Sequence, residues 1–293
     1  MNLTSLSQVR ALLTRLDVHP RKVLGQNFLI DANVLRILLE HAALDADDQV
    51  LEVGPGLGVV TEQLLARVRH VVAVEKDRRL HAFLAERFGG APRLELIAAD
   101  VLDLDLAALL GSRINKVVAT LPYAAASRIL VELARLADPP RAIVVTVQHE
   151  VALRLAAEPG TADYGLLSLW VQLFYEAAAV RKIAPTCFWP QPGVTSAIVT
   201  LRRRQQAPLP GPARDFFYTL TKRAFEHRRK QLVTTLAGGG PAGGPWRAKL
   251  AAALAARSVD PQARPENLGA EAWWGFAGDL FADAPCRQWL LRH

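Results

Sequence analysis

From Gln49 onward, short β-branched runs alternate with stretches of helical length, and this alternation confines the chain to few folds. Residues 50–53, 70–74, 94–98, 116–119 and 142–147 are short, apolar and bounded by turn-forming or polar residues. Between them, 59–67, 78–88 and 127–136 are each long enough for a helix. Strands separated by helices pair in parallel, and the helices cover both faces of the sheet. An α/β domain is therefore expected, with 166–183 and 196–201 adding a last helix and last strands.

Composition shifts at Gln205-Gln-Ala-Pro-Leu-Pro-Gly-Pro212, which reads as a linker. Beyond it, 214–236 and 245–257 have helical character and are separated by a glycine-rich stretch, 238–244. The expected division is 1–204 for the α/β domain and 205–293 for a small helical C-terminal domain. A chain of 293 residues, 51% of them hydrophobic, can bury a core of that size. No apolar run reaches the length of a membrane span, and 166–175 is interrupted by Ser168 and Gln172. The N-terminus lacks the apolar core of a signal peptide. Two distant cysteines, Cys187 and Cys286, offer neither a disulfide framework nor a zinc motif, so no metal site is expected. A soluble protein of the reducing cytoplasm is the expectation.

The net charge of +7 is unevenly spread. Between Arg181 and Lys230 there are eleven Lys/Arg residues against two acids. Such a concentration favours a polyanionic partner, nucleic acid before membrane, although a solvated basic face has the same composition. Arg202, Arg203, Arg204, Lys222, Arg223, Arg228, Arg229 and Lys230 flank the domain junction. Phosphate contacts from such a group would give affinity without reading sequence.

Leu51-Glu-Val-Gly-Pro-Gly-Leu-Gly58 closes the first strand of the alternating pattern and opens a helix. Glycines there let the backbone turn tightly and approach a ligand facing the helix N-terminus. A dinucleotide-binding loop is one reading, since Glu75 follows about twenty residues on. Against it, the third glycine of the G-x-G-x-x-G pattern would fall on Val59. Glu75 and Asp100 end two successive strands. There they could accept from ribose hydroxyls and an exocyclic adenine amine, or simply cap the helices that follow.

The next strand ends in Thr120-Leu-Pro-Tyr123, and here the chain resembles the ribosomal RNA adenine dimethyltransferase family of the KsgA type. Also similar to that family are Leu24-Gly-Gln-Asn-Phe-Leu29, Gly54-Pro-Gly-Leu-Gly58, Val147-Gln-His-Glu-Val151 and Tyr164-Gly-Leu-Leu-Ser168. Phe188-Trp-Pro-Gln-Pro192, Val194-Thr-Ser196, Arg228-Arg-Lys230 and Arg264-Pro-Glu-Asn-Leu268 complete the set. The likeness is strong over residues 20–204 and thinner beyond. It implies a Rossmann-like S-adenosylmethionine-dependent methyltransferase sheet. The implied activity is dimethylation of adenine N6 in small-subunit ribosomal RNA, on an immature 30S-type particle and as a monomer.

The resemblance also implies roles. Gln26, Asn27 and Leu29 would close over the methionine part of S-adenosylmethionine, with Gly54 and Gly56 admitting the backbone close to it. Glu75 would hold the ribose, while Asp100 and the Val101 backbone would read the adenine. Thr120, Leu121, Pro122 and Tyr123 would form the catalytic tetrapeptide, with Tyr123 stacking on the target base and Phe188 on its other face. Core packing is the competing reading for Phe188. The family usually has Asn where this chain has Thr120, and polar residues where it has Ala124-Ala-Ala126. Adenine N6 is a poor nucleophile, and an acceptor for its hydrogens restores lone-pair character. A threonine hydroxyl is a shorter acceptor than an amide oxygen. Three alternatives stand beside this reading: a large-subunit adenine methyltransferase, an RNA-binding assembly factor without catalysis, and a nicotinamide oxidoreductase.

Overall fold

The computed structural model describes residues 1–18, 26–111, 113–205, 211–238 and 243–292. Leu24 and Gly25 of the N-terminal motif, most of the expected linker and the centre of the glycine-rich stretch lie outside the described residues. The chain divides into two compact units. The first comprises Met1–Leu153 and Glu176–Arg203, and the second Arg154–Tyr175 and Arg204–His293.

In the first unit, a seven-stranded sheet is built from β2 (Gln49–Val53), β3 (His70–Glu75), β4 (Leu94–Ala98), β5 (Lys116–Thr120), β6 (Ala142–Gln148), β7 (Tyr175–Ile183) and β9 (Ser196–Arg203). Its order is β4-β3-β2-β5-β6-β9-β7. The strands from β4 to β6 pair in parallel, and β9 joins β6 antiparallel. A separate two-stranded ribbon joins β1 (Phe28–Leu29) to β8 (Phe188–Trp189). The order reverses at β2, where the chain crosses from the β3 side to the β5 side. Open α/β sheets bind ligands outside the carboxyl ends of strands at such a point.

The helices α3 (Val59–Leu65), α4 (Arg78–Phe88), α5 (Leu106–Leu110) and α6 (Ala126–Arg135) connect these strands, and α7 (His149–Leu155) follows β6. Asp77 starts α4 by accepting from the amides of Arg79 and Leu80. Sequence patterning overlooked α1 (Leu6–Arg15) and α2 (Ala32–Ala42), which Asp31 caps by accepting from Val34. Val34, Leu35 and Leu38 of α2 pack with Val50, Val118, Val144 and Ile198 of the sheet. At the opposite strand ends, buried Asp48 accepts from Lys116 at 2.7 Å and from Asn115 at 2.9 Å, and it also pairs with Arg141. This ties the starts of β2, β5 and β6 together around a charge that would otherwise be costly to bury.

The second unit is helical: α8 (Leu166–Gln172), α9 (Gly211–Glu226), α10 (Leu232–Ala237), α11 (Gly244–Ala255), α12 (Ala270–Ala282) and α13 (Ala284–Arg292). The expected single helix over 214–236 is broken between α9 and α10. There Leu232 donates its amide to Ala263 rather than continuing the helical ladder. Residues 154–175, assigned by sequence to the α/β domain, belong instead to this unit. Two contacts, one buried and one part-buried, account for that: the Tyr164 hydroxyl donates to the Leu268 carbonyl at 3.0 Å, and the Trp170 indole donates to Thr221 Oγ1 at 2.9 Å.

Candidate active site

A cavity of about 250 Å³ opens at the carboxyl ends of β2, β3 and β5. Gln26, Asn27, Leu29, Gly54, Gly56, Glu75, Asp100, Val101, Thr120 and Pro122 all line it. The nine cofactor-site positions expected from sequence thus meet around one space, although they come from five separate stretches of chain.

The glycine turn is shaped by backbone strain that only glycine relieves. Gly54 has φ of 69°, and a side chain added there would meet nothing closer than Pro122 Cδ at 3.8 Å, so the space is kept open. Gly58 is different: its φ is 84°, and an added Cβ would lie 2.6 Å from Phe88 Cε2. Gly54 leaves space at the cavity wall, and Gly58 lets α3 pack against α4.

Glu75 is buried, and its carboxylate accepts from the amides of Gly56 at 3.0 Å and Asp77 at 2.8 Å. Burial pushes its pKa upward, against the two amide hydrogen bonds, and the neighbouring Asp77 charge adds to the rise. Each oxygen has one such bond and retains acceptor capacity towards the cavity. Asp100 accepts from Lys76 Nζ at 2.7 Å and from the Leu102 amide at 3.0 Å. The Lys76 hydrogen bond, followed by that amide, holds its carboxyl below the usual range. Asp100 therefore caps the 3-10 turn Val101–Asp103 and lines the cavity as well. Gln26 is fastened by a 3.1 Å bond from its side-chain amide to Asp77.

Sequence reasoning did not single out Glu52, which also lines the cavity. It is 2% exposed, accepts from Thr61 Oγ1 at 2.7 Å and has its pKa pushed to about 8 by burial. An acid inside an otherwise apolar strand, Val50-Leu-Glu-Val53, was the available signal.

At the end of β5, Thr120 Oγ1 is buried and has no hydrogen-bond partner. A buried polar atom without a partner is costly, and this one belongs to a residue that lines the cavity. Leu121 is buried and donates its amide to Thr146, and the Pro122 carbonyl accepts from the Ala125 amide at 3.0 Å. A carbonyl oxygen with one bond can accept a second. Tyr123 extends its hydroxyl to Ser196 Oγ at 2.5 Å. Phe188, expected opposite Tyr123, lies in the core. It is 0% exposed, pairs in register with Leu29 and sits in the core with Val118, Val144 and Ile198. In this conformation it presents no open face to a base, and core packing accounts for its place.

The basic residues separate into two sets. Arg203 bonds Asp138 and the Pro139 carbonyl, and Arg204 bonds the Gln172 carbonyl. Arg223 donates to the Leu236 and Leu290 carbonyls at 2.8 and 3.2 Å, and Arg228 pairs with Glu266 and donates to the Ala162 carbonyl. These four side chains have partners within the protein, which sets them apart from the other four of the eight expected to serve RNA. Arg202, Lys222, Arg229 and Lys230 are exposed and make no side-chain bond or ion pair to the described residues.

A switch-point sheet with a glycine turn, two strand-end acids and a cavity between them defines a Rossmann-like methyltransferase fold. Residues 18–249 match the family model described as ribosomal RNA adenine dimethylase, and the chain belongs to that family. Ribosomal RNA small subunit methyltransferase A of Pelotomaculum thermopropionicum is 40% identical, over 94% of this chain and 96% of its own. The protein of the same name from Geobacillus thermodenitrificans is 38% identical, over 89% of this chain and 91% of its own. Among solved structures, a dimethyladenosine transferase from Plasmodium falciparum superposes with a TM-score of 0.74 at 21% identity, covering 88% of this chain and 98% of that one. The 23S rRNA methyltransferase ErmE gives 0.65 at 29% identity, covering 87% and 100%. No helix among the described residues is long and apolar enough to cross a membrane.

Proposed function

We propose that this protein transfers methyl groups from S-adenosylmethionine to N6 of adenines in small-subunit ribosomal RNA, dimethylating them during ribosome maturation. The observation that carries the catalytic part is the unpartnered Thr120 hydroxyl at the wall of a cavity with an adenosyl-type acid pair. The choice of small over large subunit is supported by the 38–40% identity to proteins named for the small subunit. The ErmE likeness keeps the large subunit as the alternative to be tested.

The residues present fit the methyl donor. Gly54 leaves room for it, Glu75 and Asp100 retain acceptor capacity for ribose hydroxyls and adenine amine, and the Val101 backbone borders the same space. Gln26, Asn27 and Leu29 cover the methionine end. When bound, S-adenosylmethionine supplies a methyl group already activated on a sulfonium, so no strong base is needed. Thr120 Oγ1 and the Pro122 carbonyl accept the N6 hydrogens and turn the nitrogen lone pair towards that methyl group. Tyr123 provides the stacking surface for the base. A base within a helix cannot reach this pocket, so the target is unpaired or flipped.

Arg202, Lys222, Arg229 and Lys230 supply phosphate contacts. The protein acts in the cytoplasm, as a monomer, on an immature 30S-type particle. The test is nucleoside mass spectrometry of ribosomal RNA from cells with and without the protein. N6,N6-dimethyladenine that disappears from the small subunit alone supports the proposal, and an unchanged small subunit refutes it.

A further inference from the structure

The ring of Tyr123 is anchored at both ends. On the backbone side, the neighbouring Leu121 amide donates to Thr146 at 3.0 Å, and the Ala125 amide closes a turn onto Pro122. At the far end, the phenolic oxygen lies 2.5 Å from Ser196 Oγ. Ser196 is fully buried, opens β9 and stands opposite Gln148 on β6. The Thr195 carbonyl next to it accepts the His149 amide at 2.9 Å, which fixes the approach to the strand. Burial keeps the Tyr123 pKa above its ordinary value, so the hydroxyl keeps its proton and stays available for this bond at neutral pH.

A tyrosine side chain has two soft torsions, and a hydrogen bond at the hydroxyl restrains both. We infer that Ser196 is a positioning residue: by holding the Tyr123 hydroxyl it sets the plane on which the target adenine stacks, and through that plane the alignment of N6. The inference rests on the reading of Tyr123 as the stacking residue given above. Misplacement of a reacting group by about 1 Å can cost on the order of a hundredfold in rate. A single neutral hydrogen bond is a smaller restraint.

The test is single-turnover methyl transfer to small-subunit particles from cells that lack the adenine dimethylation, with S-adenosylmethionine affinity followed by calorimetry. Ser196→Ala should slow transfer about tenfold with donor affinity unchanged, and Ser196→Thr, which keeps a hydroxyl, should recover most of the rate. Tyr123→Phe removes the same bond from the other partner and should match Ser196→Ala, so it serves if Ser196→Ala does not fold. The double variant should be no slower than either single one. Wild-type transfer by Ser196→Ala, or losses that multiply in the double variant, would overturn the inference. Tyr123→Ala separates the two claims. If it is inactive while Ser196→Ala is unaffected, only the role of Ser196 falls; if it transfers at the wild-type rate, the stacking role of Tyr123 falls and this inference with it.

Discussion

Glu75 Oε2 accepts the Gly56 amide across 3.0 Å, so the end of β3 is fastened directly to the glycine turn that follows β2. One carboxylate thereby shapes the turn and faces the cavity the turn encloses. This double duty separates two substitutions. Glu75→Ala should weaken S-adenosylmethionine binding by roughly 1.5–3 kcal/mol, the usual cost of removing a charged acceptor. Glu75→Gln keeps one oxygen for Gly56 and should lose less. Calorimetry on the two variants checks the order, and equal affinities for wild type and Glu75→Ala would remove Glu75 from the site.

Glu52 gives a pH signature. Its carboxyl remains protonated in the folded protein up to about pH 8, whereas in the unfolded chain it ionises near its ordinary 4.5. The folded state therefore holds the extra proton between these values, and stability falls as pH rises through that window. The slope from this group is at most about 1.4 kcal/mol per pH unit. Glu52→Gln can still accept from Thr61 and cannot ionise. Thermal melting from pH 5 to 8.5 should show the variant gaining on the wild type as pH rises. Parallel curves would mean that Glu52 is charged or exposed.

The basic residues should divide by the company they keep. Replacing exposed Arg229 and Lys230 by Gln should weaken RNA binding, with little change in melting temperature. The salt dependence should flatten by about one unit of slope for each phosphate that is no longer neutralised. Arg228→Gln strands Glu266 and should lower the melting temperature. Binding titrations at several salt concentrations distinguish the two. A salt slope unchanged by the double replacement would place the RNA interface elsewhere.

Strand–helix alternation made the α/β sheet legible, because a buried parallel sheet requires near-continuous apolar runs such as Val71-Val-Ala-Val74. The cavity-lining residues were legible through motifs, since glycines at positive φ and strand-end acids leave marks in the sequence. Phe188 and Arg228 were harder. An aromatic in a motif looks the same whether it lies beneath a pocket or faces into it, and a cation looks the same whether it meets phosphate or Glu266. Tyr164-Gly-Leu-Leu-Ser168 and Arg264-Pro-Glu-Asn-Leu268 are tied together by the Tyr164–Leu268 bond. That bond spans about a hundred residues, and patterning along the chain has no access to it. Glu52 was marked only by its apolar neighbours in Val50-Leu-Glu-Val53, a signal that does not say which cavity the acid reaches until the neighbouring strands are placed.

The most direct test of the central claim is methyl transfer by the purified protein to undermethylated small-subunit particles, with the RNA digested and its nucleosides identified by mass spectrometry. The expected product is N6,N6-dimethyladenine in small-subunit RNA and none in large-subunit RNA. Thr120→Val, which removes only the unpartnered hydroxyl, should transfer on the order of ten- to a hundredfold more slowly, somewhat less than the loss of a full oxyanion-hole donor. No transfer by the wild-type protein would contradict the claim and favour an assembly factor without catalysis, and methyl groups on large-subunit adenine would contradict it in favour of an ErmE-like activity.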